Sequence, residues 1–340
     1  MKRLFLQTFL NSPFTVYRIV KNLARQKEFI QEKIWPDLIS AKIVNDGSLD
    51  ENDFKKITGY YGLAVPAILG EAFCMLRGKK MTPSERMAST CQGAMTGLFD
   101  DFFDNQLLSE EELIAFIEKP EQLSGNSSNE KLFLHFYKTA LECCCHPKLM
   151  QDHLYKVHTA QVMSIRQATP GITKEDINAI TLQKGGASLV FYRTVFTNPL
   201  EKAEENMLYH MGGLMQLAND IFDVYKDQQQ GIQTLVTTTT DIRDIRKLFT
   251  ELLKEGNTAA YKANYPAVNI KKFLGLISLA IFSRCFVCLD QLEEKQRSTD
   301  NIFIPQRYTR KDMICDMDTV QNKWKSLMYY VRSAELGVKN

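Results

Sequence analysis

Apolar side chains recur at three- and four-residue steps through nearly the whole chain, and the segments so patterned begin where local chemistry starts a helix. Thr82-Pro83-Ser84-Glu85 joins a capping box to a proline at the first helical position. Asn198-Pro199-Leu200-Glu201 repeats the device. Ser109 to Glu112, Ser127 to Glu130, Thr173 to Asp176 and Thr309 to Asp312 add starts in which a hydroxyl and an acid three residues on satisfy the first amides. About a dozen helices are predicted, several longer than roughly 20 residues. The best strand candidate, LVTTTT at 235–240, is short and isolated. No strand alternates with helix, no internal repeat appears, and no low-complexity linker divides the chain. The pattern therefore predicts one all-α domain over residues 1–340. The polar stretch EKPEQLSGNSSNE at 118–130 is read as a loop, because the helices on either side would each lack a core alone.

Charge narrows the function classes. Lys+Arg number 42 against Asp+Glu 40, and the basic residues are dispersed, so the basic patch that phosphate-backbone binding leaves is missing and nucleic acid is discounted as a partner. No uninterrupted apolar run approaches the roughly 18 residues of a membrane span. The opening MKRLFLQTFL is too short an apolar stretch before Asn11 and Pro13 for a secretory signal. A cytoplasmic protein without an integral membrane segment is expected, its eight cysteines reduced. CCCHPKLMQDHLYKVH, 143–158, gathers Cys and His residues of the kind that bind zinc, yet Pro147 interrupts it and no CxxC pairs with it locally. Cys285 and Cys288 sit in an apolar stretch and are read as core.

The candidate chemistry lies in two acidic segments. In LFDDFFD, 98–104, helical geometry of about 100° per residue puts Asp100, Asp101 and Asp104 on one face and Leu98, Phe99, Phe102 and Phe103 on the other. An acidic face on an amphipathic helix is ordinarily a solvated one. Upstream, however, ASTCQGAMTG at 88–97 has no charged residue, and Ser89, Thr90, Gly93, Thr96 and Gly97 occupy the aspartate azimuth. Such a face lines a cavity or is closely packed. The acids also end the helix, where the macrodipole disfavours anions, so a positive group is expected nearby.

The segment GGLMQLANDIFDVYKDQQQG, 212–231, follows the same plan. Asn219, Asp223, Gln216, Asp227 and Asp220 fall within about 100° of one another, with Leu214, Ile221, Phe222 and Tyr225 on the other side. Carboxylates and amide oxygens without Cys or His suit a hard cation, and Mg²⁺ takes a few carboxylates together with water and substrate phosphate. Both segments are helical and differ from an EF-hand loop.

These two motifs, in this order on long helices, resemble those of the class I isoprenoid synthases. Asp100-Asp101-Phe102-Phe103-Asp104 is similar to their DDxxD motif. Asn219, Asp223 and Asp227 resemble the NSE triad of terpene cyclases, with aspartate in place of both Ser/Thr and Glu. Gln216 and Asp220 resemble the second aspartate motif of prenyl diphosphate synthases. The resemblance implies a single-domain antiparallel helical bundle around a central apolar pocket, with the two motifs at its mouth holding Mg²⁺, more than one ion, on a prenyl diphosphate. Asp100, Asp101 and Asp223 would be catalytic, and Asp100, Asp101, Asp104, Asn219, Asp220, Asp223 and Asp227 would be metal ligands. Cations for the diphosphate are sought in Lys184, Arg193, Lys226 and Arg307, the last paired with Tyr308 as in the Arg-Tyr pair of terpene cyclases; Arg166 is a further candidate. Lys184-Gly185-Gly186 is similar to the helix break at which prenyl synthases present a lysine, and equally to a simple kink with a solvated lysine. Phe73, Phe191, Tyr192 and Phe196 are candidate pocket walls or core. Gly93, Thr96 and Gly97 hint at a deep pocket.

Departures from the family separate its branches. Chain-elongating synthases bind a second diphosphate with a Gly-Lys-x-Arg segment and arginines after DDxxD, and neither YYGLAVPAILGEAF at 60–73 nor DDFFDNQLLSEEEL supplies them. One-substrate ionisation to a cyclised or rearranged terpene is therefore the expected activity. Elongation, head-to-head coupling and a non-catalytic prenyl-lipid-binding role are the rivals, and homodimerisation is left open.

Overall fold

The computed structural model describes residues 2–104 and 108–333, the side chains from Phe5 onward and not that of Asp104. Helix makes up 79% of it and no strand forms among the described residues, so the chain is all-α. The principal helices are α1 (Lys2–Lys33), α2 (Glu51–Arg77), α3 (Pro83–Asp104), α4 (Ser128–Cys143), α5 (Pro147–Ser164), α6 (Lys174–Arg193), α7 (Lys202–Gln230), α8 (Ile242–Lys262), α9 (Ala267–Arg297) and α10 (Val320–Ser333). They group into two compact units. One comprises residues up to Val16, Ala160–Val190 and the chain from Glu201; the other comprises Tyr17–Thr159 and Phe191–Leu200.

Most starts form as their caps dictate. Ser109 and Thr309 close capping boxes with Glu112 and Asp312, Ser127 accepts from the Glu130 amide, and Thr173 accepts from the Asp176 amide at 3.1 Å. Asn198 does not cap α7, which begins at Lys202 without a side-chain cap. Its side-chain oxygen instead accepts from Arg77 at 3.1 Å, and its carbonyl accepts from Arg193 at 3.2 Å. Residues 235–240 form a turn, because the Thr234 and Thr237 hydroxyls bond each other's backbone amides (2.8 and 3.2 Å) and close it locally.

In the second unit α3 runs between α4 and α2. Phe99 and Phe102 pack on Phe133 of α4 at ring distances of 5.6 and 5.4 Å. The other side of α3 meets α2, which is widened by π turns at Lys56–Tyr60 and Val65–Gly70. A Cβ on Gly93 would run into the Tyr61 backbone, and one on Gly97 into Tyr61 and the stem of Lys56. The small-residue face of α3 is thus packed at these glycines, rather than forming a pocket wall there. In the first unit α7 packs on α8 and α9 through Leu217, Ile221, Val224, Phe249 and Cys288, all buried. Helix α7 ends at Gly231, whose left-handed φ of 69° lets the Ile232 amide reach the Asp227 carbonyl at 2.9 Å.

The stretches Glu51–Arg77 and Ala267–Arg297 are each long and apolar enough to cross a membrane by length and composition, with windows of mean hydropathy 1.3 and 1.9. In both, 56% of the window is buried inside the fold. All eight cysteines carry free thiols.

The start of α3 is held by one buried carboxylate. Glu85 accepts from Arg77 at 2.8 Å, from the Thr197 amide at 2.9 Å and from the Thr82 amide at 3.0 Å. Burial opposes its charge, but Arg77 and the two amides outweigh burial and bring the carboxyl down to about 2 from 4.5. Its contribution to stability is therefore present above pH 4.5 and lost as pH falls through about 2. Glu85→Gln leaves Arg77 buried without its counter-charge and is expected to cost about 3–5 kcal/mol at neutral pH. Denaturant midpoints from pH 2 to 7 check this, and an unchanged midpoint at pH 7 contradicts it.

Candidate functional site

Asp100 and Asp101 stand on the last turn of α3, in the second unit. Both Asp101 oxygens accept from Lys56 Nζ, at 2.7 and 2.9 Å, and Lys56 also lies 3.6 Å from Asp53. Gly97 makes this possible, since the Lys56 stem lies against the bare backbone one turn before Asp101. One ammonium thus serves two carboxylates. Burial works against the Lys56 charge, but the bond to Asp101 prevails and holds the ammonium above its ordinary value. Burial pushes Asp101 up to about 6, Lys56 pulls it down, and Asp53 adds to the rise. The Tyr61 hydroxyl donates to Asp100 at 3.5 Å. Asp104 closes the helix, and its side chain lies outside the described residues.

The second cluster belongs to the first unit and is positioned by a helix crossing. Gly185 and Gly212 meet backbone to backbone: a Cβ on either would fall inside the shell of the other's carbonyl. Gly186 takes the Tyr209 ring, and Gly213 takes Leu182. Lys184-Gly185-Gly186 therefore lies within an unbroken helix, α6, contrary to the expected interruption. The glycines serve close approach. Two turns beyond the contact, Asp220 is buried on α7, accepting from Gln216 at 2.9 Å and more loosely from Thr181 of α6 at 3.5 Å. Asn219 donates to Asp223 at 3.2 Å. Asp227, in the last turn, is nine-tenths buried.

These carboxylates crowd one another. Burial pushes Asp220 up to about 6, relieved in part by Gln216 and the charge of Lys184. Burial pushes Asp227 up to about 7, the negative charges of Asp220 and Asp223 adding to it while Lys226 and Lys184 only partly offset them. Beside the cluster lies an open recess of about 390 Å³, lined by Phe222, Asp223, Lys226, Gln229, Arg310 and Ile314 among others.

The remaining candidates fall elsewhere. Arg193 is fully buried and donates to the Asn198 and Pro199 carbonyls, holding the turn that follows α6. Phe73 is core, edge-on to Phe196 at 5.5 Å, and Phe191 is buried beside Tyr192, whose hydroxyl bonds Thr96 at 3.0 Å. Arg307 is exposed, while Tyr308 bonds Thr299 at 2.6 Å and secures its own loop. Arg166 pairs with Asp176 at 3.1 Å. Sequence reasoning missed Lys56, Thr181 and Arg310. Only Arg310 had a local signal, its place just after the Thr309 cap.

Among the described residues no group of three or more His, Cys, Asp or Glu side chains is placed to hold a metal ion. The donors on α7 suit an ion that completes its shell with water and phosphate, which is how Mg²⁺ is ordinarily held. The α3 donors fit less readily, because Lys56 occupies both oxygens of Asp101.

A raised carboxyl has a definite sign. Asp220 ionises near 6 in the fold against 3.8 ordinarily, so its contribution to stability is largest below pH 3.8 and is lost as pH rises through about 6. Without divalent cations, Asp220→Asn is expected to raise the melting temperature at pH 8 and flatten its decline between pH 4 and 7. A lower melting temperature at pH 8 with an unaltered pH profile contradicts this.

Set against protein-family models, curated proteins and solved structures, the chain matches no family model, no curated protein and no solved structure.

Proposed function

We propose that this chain is a Mg²⁺-dependent, class I terpene synthase-like enzyme that ionises a prenyl diphosphate, releases diphosphate and forms a cyclised or rearranged terpene. The observation that carries the reading is the α7 face, where Asp220 and Asp227 are buried on the same side as Asp223, and burial together with neighbouring negative charge opposes their ionisation. Such a face favours a cation. Asn219, Asp223 and Asp227 would hold magnesium on α7, and Asp100, Asp101 and Asp104 on α3. Magnesium, when bound, neutralises the leaving diphosphate.

The chain's own residues supply the rest. Lys226 and Arg310, at the recess beside Asp223, are suited to charge-assisted hydrogen bonds with phosphate oxygens. Arg310 takes the part expected of Arg307. Lys56 would have to yield both Asp101 oxygens as metal enters, which makes it the residue that opposes loading of α3.

One observation favours the non-catalytic reading. Lys56 already neutralises Asp101, so a protein that binds a prenyl lipid without ionising it would need no metal there.

Incubation of the full chain with C10 to C35 prenyl diphosphates is expected to release diphosphate only with Mg²⁺, and without isopentenyl diphosphate. Asp101→Ala and Asp223→Ala are each expected to lose at least about 10²-fold in turnover. Full turnover in both defeats the catalytic assignment. Binding without diphosphate release, indifferent to chelator, selects the lipid-binding reading, and consumption that requires isopentenyl diphosphate selects elongation.

A further inference from the structure

Residues 1–27 contain six basic side chains, Lys2, Arg3, Arg18, Lys21, Arg25 and Lys27, and no acidic one, in a chain whose net charge is only +2. They fall within α1, which passes through Pro13 unbroken. Proline has no amide to offer the Phe9 carbonyl, and the Ser12 hydroxyl takes its place at 2.8 Å. One edge of α1 is anchored in the fold. Ser12, Gln26 and Ile30 are buried, and Gln26 donates to the Thr90 hydroxyl at 2.9 Å and to the Gly62 carbonyl at 3.2 Å.

The opposite edge is apolar and bare. Leu6, Leu10, Phe14, Tyr17 and Val20 follow at steps of three or four residues, which aligns them in one stripe, and each is between 56% and 72% exposed. Arg18, Lys21, Arg25 and Lys27 are exposed along the second half of the helix. At the first half, Trp324 of α10 is 54% exposed and meets Phe9 edge-on at 6.5 Å. Exposed Lys323 and Lys325 flank it, Lys323 sharing its charge with Asp318 at 3.3 Å.

We propose that α1, with Trp324 beside it, is an interfacial anchor that lays its apolar stripe into the headgroup region of an anionic lipid bilayer. The pattern fits a helix lying in the interface: apolar on one edge over residues 6–20, aromatic residues at the boundary, basic residues alongside, and the acids of the helix, Glu28 and Glu32, confined to its last turns beyond the stripe. A second copy fits less well, because α1 carries seven basic residues against two acids, Glu28 and Glu32, and two such edges in contact would leave most of the basic residues facing one another. A span fits poorly too, since Arg18, Lys21, Arg25 and Lys27 break the apolar run. The anchor does not depend on the catalytic reading, although a membrane surface is where a long prenyl chain would be met.

Flotation of the full chain with vesicles of phosphatidylcholine alone, and of phosphatidylcholine with one third phosphatidylglycerol, tests the anchor. Partitioning is expected to be at least about tenfold greater on the anionic vesicles and to fall with added salt. Leu10→Glu and Phe14→Glu, each at an exposed position, are expected to reduce it at least about tenfold while circular dichroism stays unchanged. Absence of binding, equal binding to both vesicle types, or binding indifferent to both substitutions overturns the proposal. Stripe-dependent dimerisation on size exclusion without vesicle binding overturns it in favour of a second copy.

Discussion

The backbone contact between Gly185 and Gly212 is the constraint on which the α7 cluster depends. With no side chain on either side, α6 and α7 approach until each carbonyl fills the place of the other's Cβ. Tyr209 and Leu182 close over the neighbouring glycines. That approach sets the height of everything above it. Thr181, one turn before Gly185, comes within reach of Asp220, and the Lys184 charge is felt at both Asp220 and Asp227. A bulkier residue at the crossing would move the two helices apart and take these contacts with it.

The two acidic motifs, alike in sequence, differ in their electrostatics. On α3 Lys56 bonds both oxygens of Asp101 and lies 3.6 Å from Asp53, so one ammonium is shared by two carboxylates before any ligand arrives. On α7 three carboxylates share one helix face, and the charge of Lys184 only partly offsets the burial of Asp220 and, with Lys226, that of Asp227. Burial and mutual repulsion then raise Asp220 and Asp227, which is the condition under which a bound cation gains most.

Much of the helical plan was legible because capping is local. Thr82 with Glu85, Ser109 with Glu112 and Thr309 with Asp312 are recognised within four residues and formed as read. Asn198 failed as a cap because distant Arg77 competes for its oxygen, and LVTTTT failed as a strand because its threonines satisfy their own turn. The placement of Phe99 and Phe102 opposite the aspartates followed from helical period alone. The partners of those aspartates did not. Lys56 reaches Asp101 only because α2 is widened by a π turn and Gly97 is bare, and Thr181 reaches Asp220 only through the glycine crossing. Such contacts depend on two elements at once and leave no trace in either taken singly. The glycines themselves were conspicuous in sequence, but a helix break and a helix crossing look the same there.

The melting temperature of Gly185→Ala tests the crossing most directly, because two effects predict opposite signs. In an ordinary helix interior the change stabilises by about 1 kcal/mol, since alanine loses less backbone entropy. At this contact the added methyl would meet the Gly212 carbonyl and is expected to cost about 1–3 kcal/mol net, lowering the melting temperature by several degrees. A melting temperature equal to or above that of the unaltered protein would contradict the account.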